Sequence, residues 1–184
     1  MGLLYTLADR IYWFMESGPP FVFALLLIVV VSVPLTLIHE LGHAVAARRQ
    51  LDTEVDVSVG SAVKIAQVRL AGINATINAL PHPGRAAGFA SFDDARARAI
   101  DIVRIALAGP LASLCALLVS AWLYSAAPHT GLAHDVLWAT VSVSLCGVLT
   151  VIPFTYEERR DGPRFRTDGH LALDALKVVW GTRG

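Results

Sequence analysis

Three uncharged apolar runs constrain this chain more than any other feature. They cover residues 21–38, 105–127 and 136–156. A helix needs about 20 such residues to cross a bilayer, and these runs hold roughly 18, 23 and 21. A helix on the surface of a soluble protein keeps a polar face for water, and these runs have none. The expected fold is a mainly α membrane protein with a core of three transmembrane helices, at about 21–48, 102–127 and 134–156. Composition agrees. Hydrophobic residues make up 55% of the chain and charged residues 16%, against roughly 25% charged in soluble proteins. The 15 basic and 15 acidic residues balance, so no basic excess points to nucleic acid. Cys115 and Cys146 both lie in apolar runs and form no disulfide framework.

Basic residues set an expected orientation. The short link 128–135 carries no Lys or Arg, whereas Arg48, Arg49, Lys64 and Arg69 open a basic long link, and Arg159, Arg160, Arg164 and Arg166 open a basic tail. By the positive-inside rule the long link and the tail are cytoplasmic, and the N-terminus and short link are external. Nearly all the basic residues are Arg, and Ala is abundant. That bias is common in GC-rich genomes and leans towards a bacterial cytoplasmic membrane. Residues 1–20 read as an interfacial helix, with Leu3, Leu4, Leu7, Ile11 and Phe14 at helical spacing and Tyr5, Tyr12 and Trp13 at headgroup level. Gly18-Pro19-Pro20 then breaks the chain before the core, 21–184. In the strand-rich link, 51–97, apolar residues alternate with polar ones, as at Val55, Val57 and Val59. This predicts a small membrane-associated β-sheet between the first two helices.

The chemistry concentrates in His39-Glu40-Leu41-Gly42-His43. Residues four apart share a helix face, so His39 and His43 can hold one metal ion together. Glu40 is then placed to act as general base on a water at that metal, the H-E-x-x-H arrangement of zinc proteases. The motif continues directly from an apolar run, where each ionisable residue is expensive and points to function. Gly42 leaves this face without a side chain, open to another backbone. Catalytic zinc usually has three protein ligands, so a third is missing. The tail offers Glu157, Glu158, Asp161, Asp168, His170 and Asp174. Asp168 stands at the start of a helical pattern, and Gly169 allows a tight turn there.

With these features the sequence resembles the site-2 protease family of intramembrane zinc metalloproteases. His39-Glu40-Leu41-Gly42-His43 closes the first core helix, Ala108-Gly109-Pro110 opens the second, and an Asp-Gly pair follows the third. The resemblance implies one Zn2+ per chain held by His39, His43 and the Asp of that pair, with Glu40 catalytic. Two pairs are present, Asp161-Gly162 and Asp168-Gly169. The first reads as a turn with Pro163, so Asp168 is the expected ligand. Many members carry an Asn-Pro-type segment before the pair, and here Val151-Ile152-Pro153-Phe154 lacks the Asn. The resemblance also implies an endopeptidase that cuts in or near transmembrane segments of membrane-protein substrates, for regulated proteolysis or clearance. The chain reads as a minimal member without accessory domains, and nothing in it sets an oligomeric state. Its expected partners are a transmembrane protein substrate and membrane lipid. Two other readings are a membrane zinc protease with Glu157 or Glu158 as third ligand, and a metal-binding scaffold without turnover. Elsewhere, Pro34 is expected to kink the first helix. Ser113 pairs with Gly109 as small residues for close helix packing, and His170 is a candidate neighbour of the metal site. His129 and His134 fall on the opposite side.

Overall fold

The first apolar run folds as a single helix, α1 (Phe21–Leu51), of 31 residues, which continues through Pro34. At 1.5 Å per residue it spans about 46 Å, more than the roughly 30 Å of hydrocarbon. His39 lies about 27 Å along it, so the His39–His43 turn follows the helix's apolar stretch. The helix stops at Asp52, whose left-handed backbone (φ 49°) lets its N–H bond Arg48 O. The structure is a computed structural model that describes residues 12, 15–16, 18–80, 88–128, 130–153, 155–157 and 164–181. The expected interfacial helix over 1–20 lies almost wholly outside these residues, as do His82, His129, Glu158 and Asp161.

Two further helices, α2 (Ala99–Ala126) and α3 (Leu132–Leu149), complete a set of three that are long and apolar enough to cross a membrane. Lipid offers no hydrophobic drive for helices to associate, so close packing of small residues has to do that work. Ala24 and Ala139 are buried between them, while Leu26, Leu118 and Trp122 point outward. The helix expected over 134–156 ends earlier than its apolar run. Pro153 has no N–H and disfavours helical backbone at the residue before it. Residues after Thr150 turn instead, and Thr155–Glu157 forms strand β5, paired with β6 (Arg164–Arg166). A final amphipathic helix, α4 (Asp168–Val179), packs Ala172 and Ala175 against Val103 and Ala106 of α2.

The link between α1 and α2 forms a four-stranded mixed sheet. Its strands are β1 (Val55–Val59), β2 (Ser61–Leu70), β3 (Ile73–Leu80) and β4 (Gly88–Phe92), in the order β2-β3-β1-β4. Strand β1 runs parallel to β3 and antiparallel to β4. Alternation decides its faces. Val55, Val57 and Val59 are fully buried against Ala44 and Ala47 of α1. The opposite face carries a polar chain in which Gln67 donates to Asn74 and Asn74 to Asp56. The sheet thus caps the end of α1 and puts β4 at one edge beside the motif, with no strand on its outer side among the described residues.

A candidate metal centre at the end of the first long helix

One helical turn separates His39 from His43, and their Nε2 atoms converge to 3.2 Å. The first residue of α4 brings a carboxylate to the same point. Asp168 Oδ2 lies 3.0 Å from His39 Nε2, and its Oδ1 lies 3.3 Å from His43 Nε2. These three residues form a group that could hold a metal ion. Zinc with Zn–N bonds of about 2.0–2.1 Å in a tetrahedral site needs donors roughly 3.3 Å apart. The observed spacings fit that requirement.

The far side of each imidazole is engaged as well. His43 Nδ1 lies 2.7 Å from the Ile105 carbonyl oxygen. A carbonyl only accepts, so Nδ1 donates its proton there, and Nε2 is the nitrogen that turns towards Asp168 and would offer its lone pair to a metal once it gives up its own proton. His39 Nδ1 lies 2.9 Å from Ser113 Oγ. Thr150 Oγ1 donates to Asp168 Oδ2 at 2.7 Å. Burial pushes the Asp168 carboxyl up, but its hydrogen bonds with His39, His43 and Thr150 outweigh that. The carboxyl is held well below the usual carboxylate range and is an anion at neutral pH.

Local geometry explains the residues around these side chains. Thr167 caps α4 by accepting from the His170 N–H, and it donates to Ile152 O at 2.7 Å. The Gly169 N–H bonds Thr150 O at 3.0 Å. A Cβ at Gly169 would collide with the Val151 carbonyl. The Asp-Gly pair is therefore pressed against the turn that ends α3, and only glycine fits in its second place. On α2, a side chain at Gly109 would strike the His43 ring. The expected approach at Gly42 is also present, since a Cβ there would meet the Ala108 carbonyl.

Glu40 is buried on the same turn as the histidines, and all three line one cavity of about 650 Å3. The cavity runs from β4 and α4 down between α1 and α3, from Thr150 to Ile28. Strand β4 lies against the glutamate, so that a Cβ on Gly88 would sit 2.8 Å from Glu40 Cγ.

Two contributors escaped the sequence. Ser113 is not simply a packing residue, because its hydroxyl bonds a candidate ligand. Thr150 stands three residues before Pro153 and holds Asp168. Neither has a local signal, since each partner is distant along the chain. His170 pairs with Asp174 at 3.3 Å, one turn along α4. His134 is buried at the other end of α3, with its ring centroid 4.6 Å from that of Tyr124. Glu157 lies on β5.

Comparison with protein families matches residues 21–165 to a model described as Peptidase family M50. The match includes His39, Glu40 and His43 and stops short of Asp168, whose position is known from the fold. Comparison with curated proteins finds no match.

Proposed function

Since the chain belongs to peptidase family M50, a family of membrane-embedded metalloproteases, we propose that it is a zinc-dependent endopeptidase cutting in or beside transmembrane segments of other proteins. The observation that carries this reading is the convergence of His39, His43 and Asp168 beside Glu40 in one cavity that continues between the apolar helices α1 and α3 as far as Ile28. In this reading His39, His43 and Asp168 hold the zinc. When bound there, zinc supplies a Lewis acid for the scissile carbonyl and a water of lowered pKa.

The protein's own residues handle protons and position. Glu40 takes a proton from the attacking water as its oxygen bonds the peptide carbon. As the C–N bond breaks, Glu40 gives that proton to the leaving amine. The mostly apolar walls lower the local polarity, which strengthens electrostatic interactions within the cavity. Asp168 needs no proton change in this scheme, and the hydrogen bond that Thr150 donates to its Oδ2 favours the anion.

A substrate helix hides its peptide bonds and must unwind to be cut. The free edge of β4 offers main-chain groups to which an extended segment can add as a strand. It lies against Glu40, which suits that role. The basic long link and tail support an active site on the cytoplasmic side of a bacterial membrane.

The test is metal content and cleavage of purified protein beside Glu40→Gln. The expected result is near one zinc per chain in both proteins, with cleavage only in the unaltered one. Cleavage that survived Glu40→Gln would overturn the mechanism. Zinc without any turnover in the unaltered protein would favour a metal-binding scaffold.

A further inference from the structure

Among the described residues, one buried side-chain polar atom has no hydrogen-bond partner, the Oγ of Ser144 on α3. Its neighbours on that helix differ. Thr140 donates to Val136 O at 2.7 Å and Ser142 to Trp138 O at 3.0 Å, the usual way a helix absorbs a hydroxyl. Ser144 is 2% exposed and lines the same cavity as His39 and Glu40. An unpaired buried hydroxyl is costly, more so at membrane depth, and such a group calls for an occupant.

The position of Ser144 indicates which occupant. Ser144 and Gly147 of α3 and Thr150 just past its end follow one another every three residues and all line this cavity. Thr150 holds Asp168, and a Cβ on Gly147 would lie 3.6 Å from His39 Nδ1. Ser144 lies one step further into the membrane, about 4.5 Å beyond Gly147 along the axis. A peptide unwound in this cleft has carbonyls that have lost their helical partners. An extended chain advances about 3.3 Å per residue. We propose that the Ser144 hydroxyl donates a hydrogen bond to a main-chain carbonyl of the substrate. That carbonyl lies one or two residues from the scissile bond, on the membrane side. The bond stabilises the unwound form. This inference rests on the protease reading above and deepens it.

The experiment compares unaltered protein, Ser144→Ala and Glu40→Gln, each purified in nanodiscs. The probe is a tagged single-span protein whose transmembrane helix is interrupted by an Asn-Pro step. Metal content, Tm, kcat and KM are read for each. Ser144→Ala removes a hydroxyl that has no partner in the resting protein, so its Tm is expected to hold or rise and its zinc to stay near one per chain. Because the bond forms only after unwinding, kcat is expected to fall about five- to tenfold while KM stays within about twofold. An unchanged kcat overturns the proposal, and so does a Tm that falls together with kcat, which would mark Ser144 as a packing residue. Unaltered protein that binds zinc and cuts no better than Glu40→Gln overturns the protease reading, and this proposal with it.

Discussion

A metal-ligating histidine depends on what its second nitrogen meets. At His43 that partner is the Ile105 carbonyl, and at His39 it is the Ser113 hydroxyl. Asp168 is steadied in the same way by Thr150. Such partners orient the ligands and tune their basicity, and losing one typically weakens metal binding by about 10- to 100-fold. Ser113→Ala and Thr150→Val are therefore expected to lower zinc affinity by that order while retaining the fold. Competition with a chelator of known affinity would check this. His39→Ala and Asp168→Ala should instead abolish stoichiometric zinc. Equal affinity in Ser113→Ala and the unaltered protein would reduce the hydroxyl to a packing group. The histidine pair and Glu40 were legible from their spacing in the sequence. Ser113 was legible only as a small residue, because its partner is 74 positions away.

At the scale of elements, the sheet shows how one alternating pattern can serve two ends. The valines of β1 are buried under α1, whereas Val63, Ile65, Val68 and Leu70 of β2 are exposed. Alternation predicted strands in this link. It did not tell which strand would be central and which would be an edge, because pairing order depends on contacts distant along the chain. The order β2-β3-β1-β4 puts β4 at the edge beside Glu40, unpaired on its outer side among the described residues. On an edge strand, successive N–H groups point alternately towards the partner strand and outward. Proline at Phe89 and proline at Ala90 thus each remove one of the two kinds. The substitution that removes the outward donor is expected to cut cleavage severalfold with zinc content intact. Undiminished cleavage in both variants would count against strand addition. The third apolar run carried a related ambiguity. Its hydropathy continues to Tyr156, yet the helix stops at Leu149, because backbone restriction at Pro153 overrides the hydrophobic signal.

On the scale of the whole molecule, the three long helices and the sheet bring the ends of α1, α3 and α4 to one side. The basic residues of the link and the tail lie on that side in sequence, which supports a cytoplasmic site. A reporter fused after Gly184 is expected to be active in the cytoplasm and silent outside, and the reverse pattern would invert the proposed topology. The sequence by itself determined the apolar spans, the strand-rich link and the H-E-x-x-H turn. Each is written in the local order of residues, through hydropathy, a period of two, or a spacing of four. Tertiary structure alone decided how the Asp168 carboxylate expected from the sequence reaches the histidines, which hydroxyls support them, and which strand lies beside Glu40. Asp168 reaches His39 across 129 positions because the close approach at Gly169 and the Thr167 hydrogen bond lock the start of α4 onto the end of α3. Meetings of that kind depend on packing between elements, which no local pattern encodes.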